Sequence, residues 1–342
     1  MRSTVRSTTR SLEGQVALVA GATRGAGRGI AAMLGEAGAT VYCTGRSARG
    51  FPPTGAYEGR PETIEETAEI VTARGGVGIP VRVDHLERSE VEQLVRRIRK
   101  EHKRVDVLVN DISEGVTHDW KPFWKVDLEK GFRAIRQGVH SHLITNQCVA
   151  PLMVERERGL IVEITDGDFL GYRGNLFYDL VKTNVNRLAC AMAEELYKHG
   201  VAAVAVTPGF MRTETVLDQF GATEENWRRV AETNAQAKSF GFIHSETPNF
   251  VGRAVAALAA DPNVLAKSGG IFSSYTLSRE YDFTDVDGTQ PNIYAVLSSF
   301  FAKAAEQPRP AYEWTVTKRE SAPPKARFGG HRRQRAPETA PA

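Results

Sequence analysis

Cysteine is scarce: Cys43, Cys148 and Cys190 are the only three in 342 residues, each inside an apolar stretch, with no CxxC spacing and no histidine in a ligand pattern. This excludes a disulfide framework and a zinc site, so the three read as buried thiols and no metal is expected. Long apolar runs are missing too. No segment reaches the ~18 uninterrupted apolar residues of a membrane span, and the start has basic residues but no apolar stretch before Leu12. A soluble cytoplasmic protein with no membrane span is expected. A large charge of one sign is also lacking: the net is +3, and the visible surplus of Arg and Lys lies in the ends, Arg2 to Arg10 and Lys318 to Arg335. No nucleic-acid partner is expected, and the basic tail reads as a solvated extension. No internal repeat is present. What remains is a chain of 41% hydrophobic and 25% charged residues, ordinary for a globular fold and incompatible with disorder throughout.

From Gln15 onward short β-branched runs alternate with amphipathic segments: QVALVA, TVYCT, GIPVRVD, VDVLVN, LIVEIT and VAAVAVTP, separated by helical stretches such as Pro61 to Arg74, Glu87 to His102 and Asn175 to His199. Strands apolar on both faces belong to a parallel sheet covered by helices on each side. The expected fold is therefore α/β, a Rossmann-type doubly wound parallel sheet in a single domain. Its expected limits are 12–306, after a flexible N-terminus 1–11 and before a disordered, Pro- and Arg-containing C-terminal tail 307–342. The segment 210–242 interrupts the rhythm and is a candidate lid. Phe210, Met211, Trp227 and Phe240 within it suggest an apolar ligand or, the favoured reading, a core of the lid itself.

The first strand ends in Ala20-Gly21-Ala22-Thr23-Arg24-Gly25-Ala26-Gly27-Arg28-Gly29. Glycines at GxxxGxG spacing, where a strand turns into a helix, permit a sharp turn, close backbone approach to a pyrophosphate, and tight packing of helix on strand. Free N–H groups at the helix start bind the anion. Gly21, Thr23, Arg24, Gly25, Ala26 and Gly27 are thus candidate cofactor-binding residues. At the end of the second strand, where an acid would accept from the ribose of NAD, the chain has Thr44-Gly45-Arg46-Ser47. Arg46 with Arg24 suits a 2′-phosphate and favours NADP(H) over NAD(H). Asp84 and Asn110 end the third and fourth strands, facing the ligand crevice of such a sheet.

Tyr178-Asp179-Leu180-Val181-Lys182 puts a phenol and an ammonium four residues apart, on one helix face. A neighbouring cation stabilises phenolate and brings a phenol towards the range in which it exchanges a proton with an alcohol oxygen.

GATRGAG, Asn110, YDLVK and TPGFMRT occur in the order and approximate spacing of the short-chain dehydrogenase/reductase family, which the chain resembles from about Leu12 to Asp287. Within that family TVYCTGR, PETIEETA, HSETPNFVGRAVAALAADPN and FTDVDG resemble the dehydrogenase/reductase member 1 group. The resemblance implies Tyr178 as catalytic acid/base, Lys182 on the nicotinamide ribose, and Pro208, Gly209 and Thr213 beside the nicotinamide. It implies that Asn110 supports the central strand, and that homo-oligomers form through the helices around Gly138 to Met153 and Asn184 to Leu196. Three departures stand out. Ala20 replaces the usual Thr before the glycine loop. The NNAG run reads Asn110-Asp111-Ile112-Ser113. The serine expected twelve or thirteen residues before the tyrosine is replaced by Thr165-Asp166. Thr165 is the favoured third catalytic residue, offering its hydroxyl to a substrate carbonyl; Asp166 is the alternative. The relay asparagine is also absent, the helix reading Arg136-Gln137-Gly138-Val139-His140. His140 and His142 are read as helix-surface histidines.

The favoured function is NADP(H)-dependent interconversion of a small-molecule carbonyl and secondary alcohol. A dinucleotide-binding sensor without redox turnover, and an epimerase or dehydratase on the same fold, are the alternatives.

Overall fold

The computed structural model describes residues 11–113, 121–167, 172 and 174–296. The expected tail 307–342 and all but Ser11 of the expected N-terminal stretch lie outside the described residues.

Seven strands form one parallel sheet: β1 (Val16–Ala20), β2 (Thr40–Gly45), β3 (Val77–Arg82), β4 (Val107–Asn110), β5 (Gly159–Ile164), β6 (Val201–Thr207) and β7 (Ile271–Ser273). They lie in the order β3-β2-β1-β4-β5-β6-β7. Between them run α1 (Gly25–Glu36), α2 (Ile64–Ala73), α3 (Arg88–His102), α4 (Leu128–Ile135), α5 (Ser141–Val154) and α6 (Leu176–Leu196). After β6 follow α7 (Glu214–Phe220), α8 (Trp227–Thr233), α9 (Ala235–Ser239) and α10 (Pro248–Ala260), and α11 (Ser274–Glu280) follows β7. This is the doubly wound arrangement, and the strand order reverses between β1 and β4, which opens a crevice at their carboxyl ends.

The alternation of strand side chains explains why the central strands β1 and β6 are apolar on both faces. Along β1, Ala17 and Val19 join the core beneath α1 and α10, while Val16 and Leu18 join the core beneath α3, α5 and α6. Several helices start where a side chain satisfies their free amides. Thr63 and Glu66 form a capping box on α2, Asp127 caps α4, and Asn175 accepts from the Tyr178 amide to cap α6. Asn175 thereby fixes Tyr178 in the first turn of α6 and Lys182 one turn further on. Between α4 and α5 the chain makes one wide π turn at Arg136–His140. No helix among the described residues is long and apolar enough to cross a membrane.

The segment 210–242 folds as α7 to α9 around its own small core of Phe220, Ala222, Trp227, Ala231, Ala237 and Phe242, with Phe210 packed against it. Met211 packs instead on the main core, and Phe240 is half exposed beside the Phe220 ring. Phe210 and Trp227 are thus spent on the segment's interior, as the favoured reading of the sequence had it.

Candidate active site

The chain leaves β1 through Gly21, whose φ of +93° only glycine adopts without strain and whose Cβ would stand 2.7 Å from the Asp111 carbonyl oxygen. A Cβ on Gly27 would lie 2.2 Å from the Gly21 carbonyl, so α1 can press on the strand only with glycine there. The Thr23 side chain is buried against Gly45, and that of Ala26 is buried in the core, leaving its backbone for any ligand. The first amide of α1, Gly25 N–H, donates to Glu214 Oε2 at 3.0 Å, and Arg28 reaches Glu214 Oε1 at 3.4 Å. A carboxylate from the chain itself therefore sits where the helix N-terminus offers its positive end. The Thr213 methyl lies 3.5 Å from where a Gly25 Cβ would be, so the segment after β6 closes over the glycine loop.

Arg24 is largely committed: it pairs with Glu62 at 3.2 Å, reaches the Ser47 hydroxyl at 3.4 Å and lies over the Tyr57 ring. Burial opposes the charge on Glu62, but Arg60 and Arg24 outweigh it and hold the carboxyl below its usual range. Arg46 stands 3.8 Å from Asp84 with 43% of its side chain exposed. Asp84 also accepts from the Leu86 amide through Oδ1, so it serves the loop after β3 with one oxygen and faces Arg46 with the other.

At the other end of the crevice the Tyr178 hydroxyl donates to Asp166 Oδ2 at 2.6 Å, and Lys182 Nζ stands 5.8 Å from the Tyr178 ring centre. Thr165, favoured from the sequence, does not meet the tyrosine. It is 2% exposed, and its hydroxyl donates to the Lys182 carbonyl at 3.1 Å. The reason is the alternation of side chains in extended backbone: one residue beyond β5 turns to the opposite side from its neighbour. The placement expected for Thr165 is thus corrected in favour of Asp166, while Thr165 tethers the backbone of the lysine.

Asn110 is fully buried and faces the polar interior rather than the crevice; its Nδ2 donates to Asn146 and Glu163, both at 2.9 Å. Glu163, also fully buried, accepts from Asn146 at 2.7 Å and meets His142 Nδ1 at 2.6 Å. His142 Nε2 is 3.0 Å from the Ile112 carbonyl, which can only accept, so this nitrogen carries the hydrogen in that contact. His142 is therefore no helix-surface histidine: it is 1% exposed and ties β5 to the loop that carries Asp111. Asp111 Oδ2 in turn accepts from the Gly27 amide at 2.6 Å. His142→Leu would leave Glu163 Oε2 buried without its His142 contact, and a loss of about 1–3 kcal/mol is expected in urea unfolding. An unchanged midpoint would remove the network from the stabilising core.

Pro208 and Gly209 form the turn after β6. Tyr294 Oη donates to the Pro208 carbonyl at 2.5 Å, and a Cβ on Gly209 would meet Glu246 Oε2 at 2.7 Å. Thr213 caps α7 by accepting from the Val216 amide. The structure thus brings Gly21 to Gly27, Asp111 and Thr213 together at one end of the crevice, and Tyr178 together with Lys182 on α6. Sequence reading missed Glu214, Glu163 and the role of Asp111. Only Glu163 announced itself, as a charge inside the otherwise apolar run GLIVEI.

Residues 15–225 match the profile of the family described as short chain dehydrogenase. The chain belongs to the short-chain dehydrogenase/reductase family. It is 36% identical over 294 residues to the human protein named Dehydrogenase/reductase SDR family member 1, covering 84% of this chain and 88% of that protein. It is 29% identical over 205 residues, 60% of this chain and 77% of the other, to a 3-oxoacyl-[acyl-carrier-protein] reductase of Synechocystis. A solved short chain dehydrogenase from Mycobacterium thermoresistibile shares the fold, with a TM-score of 0.67, 21% identity, and coverage of 82% of this chain and 92% of that one. As a member of this family the chain is an NAD(P)(H)-dependent oxidoreductase acting on a small molecule by hydride transfer.

Proposed function

We propose that this short-chain dehydrogenase/reductase is an NADP(H)-dependent enzyme that interconverts a carbonyl and a secondary alcohol, with Tyr178 as the acid/base. One observation carries the reading: the Tyr178 hydroxyl sits at the carboxyl end of β5, bonded to Asp166, with Lys182 one helical turn away. The cation favours the phenolate that proton donation leaves behind. Thr165 supports the arrangement from behind by holding the Lys182 carbonyl.

Gly21, Thr23, Arg24, Gly25, Ala26 and Gly27 would hold the pyrophosphate end of the cofactor. Lys182, Pro208, Gly209 and Thr213 would hold the nicotinamide end, with Asn110 bracing β4 beneath it and Asp84 flanking the adenine side. Bound there, the dinucleotide supplies the hydride. Preference for NADP(H) is supported by the absence of an acid at the end of β2 and by the exposure of Arg46 there. Arg46→Glu is expected to weaken NADPH binding about 10- to 100-fold, the worth of a lost charge-assisted bond, with little effect on NADH. Fluorescence titration with the two cofactors reads the difference, and equal losses for both would remove Arg46 from the 2′-phosphate site.

Association into homo-oligomers through α5 and α6 is supported by the exposed apolar residues Leu143 and Leu180 on those helices. A cytoplasmic location completes the reading. Its test is steady-state NADPH oxidation against a panel of aldehydes and ketones. Saturable cofactor binding without turnover on any of them would turn the assignment towards a dinucleotide-binding sensor.

A further inference from the structure

We propose that Glu214 is an internal competitor of the cofactor: its carboxylate closes the pyrophosphate end of the site and has to swing out before a dinucleotide can enter. The inference rests on the reading of the glycine loop as the pyrophosphate seat and adds a gate that the chain itself supplies.

The path of the chain after β6 brings the gate to the loop. Thr213 caps α7 with its hydroxyl, and Glu214 is the first residue of that helix. Glu214 Oε2 accepts from the Gly25 amide at 3.0 Å, and Oε1 accepts from Arg28 at 3.4 Å. Gly25 opens α1, and a Cβ there would meet the Thr213 methyl at 3.5 Å, so the start of α7 already lies against the loop. The N–H that the glycine spacing offers to an anion is the one that Glu214 takes. A phosphate brought to the same N–H and the same guanidinium would stand against the carboxylate, so the two exclude each other.

A second contact fastens the same face of α7. Asp218, one turn beyond Glu214, pairs with Arg60 in the stretch before α2. Arg60 also pairs with Glu62, which holds Arg24 of the glycine loop at 3.2 Å. Both acids of α7 thus bear on the dinucleotide end of the crevice. Neither is deeply buried: 27% of the Glu214 side chain and 66% of the Asp218 side chain are exposed. A carboxylate on the rim can turn into water without leaving its charge stranded in the core, which makes the closure reversible. Arg28 keeps a partner when Glu214 leaves, because Glu66 stays bonded to its Nη2 at 2.7 Å. Its Nη1 is then open to a phosphate oxygen.

A hydrogen bond to a charged group biases such an equilibrium about 10- to 100-fold, and apparent affinity falls by the fraction of molecules that are open. Fluorescence titration of the full chain with NADPH and with NADH measures this. Glu214→Gln and Glu214→Ala are both expected to bind each cofactor about 10- to 100-fold more tightly. The gain is expected to be equal for the two, since both carry the pyrophosphate. Inorganic pyrophosphate, titrated as a competitor of NADPH, is expected to gain likewise. Glu66→Gln is the control for charge alone. It removes a carboxylate bonded to the same guanidinium, leaves the Gly25 amide untouched and keeps a side chain suited to the α2 capping box. Its gain is expected to stay below about threefold. Unchanged or weaker cofactor binding in both Glu214 variants overturns the proposal, and so does an equal gain in Glu66→Gln. Hydrogen exchange separates the two readings. In Glu214→Ala the Gly25 amide has lost its acceptor, and NADPH is expected to slow exchange across residues 21–29. Slowing there without a gain in affinity defeats the gate alone; no slowing defeats the reading of the glycine loop, and the gate with it.

Discussion

Tyr178→Phe is expected to lower carbonyl reduction about 10²- to 10⁴-fold, the range by which a positioned general acid accelerates proton transfer, while NADPH binds as before. The substitution keeps the ring, and with it the contact to Lys182 at 5.8 Å from the ring centre. It keeps the first turn of α6 as well, because the Asn175 cap bonds the residue 178 amide and not its side chain. What disappears is one hydroxyl and its bond to Asp166. A loss confined to kcat marks an interaction made in the transition state, whereas a rise in KM alone would mark lost binding. Single-turnover NADPH oxidation with cofactor prebound separates the two, and retention of kcat would remove Tyr178 from the chemistry.

The difference between what the chain reveals and what it conceals follows the range of the interactions. The sheet was legible because strands buried on both faces must be apolar throughout, as in VALVA and VAAVAVT, and because the glycine spacing between β1 and α1 answers contacts within a few residues. Tyr178 and Lys182 were legible because a helix fixes their spacing. Thr165 was misjudged for a reason of register: a single residue at the end of a strand decides which side chain meets the tyrosine, and nothing local fixes that choice. Glu214 was invisible because its partner, the Gly25 amide, is 189 residues away. His142 looked like a surface histidine because α5 carries little apolar periodicity. Its burial follows from Glu163, on a strand 21 residues further along the chain. Charges within buried strands are the signal to follow, since each must find donors somewhere in the fold.

Glu246→Gln is expected to reverse the sign of a stability difference between acid and alkaline pH. Glu246 is 1% exposed, accepts from the Ser274 hydroxyl at 2.7 Å, and keeps one oxygen, Oε1, without a hydrogen-bond partner among the described residues. Burial pushes its carboxyl up to about 8; the nearby Asp285 adds to the rise, while Ser274, the Gly209 amide and Arg212 oppose it. Between the ordinary value of 4.5 and about 8, the folded chain holds a proton that the unfolded chain has lost. Stability therefore falls as pH rises through that window, by about 1.4 kcal/mol per unit and of order 5 kcal/mol in all. Glutamine carries no charge at any pH and retains an acceptor for Ser274 and Gly209. Its amide nitrogen takes the place of Oε1 without a partner, at a cost of about 1–3 kcal/mol. At about pH 5 the variant is expected to equal the wild type or fall below it; at about pH 9 it is expected to exceed it by a few kcal/mol. Urea unfolding at the two pH values reads the difference, and an offset independent of pH would show that Glu246 keeps its charge in the fold. Asp111, raised in the same sense but only to about 6, leaves a shallower slope at lower pH in both proteins. Because Glu246 accepts from Gly209, in the turn proposed for the nicotinamide, wild-type affinity for NADPH is expected to change as pH rises through about 8, where the folded chain loses the Glu246 proton, and that of the variant to stay level.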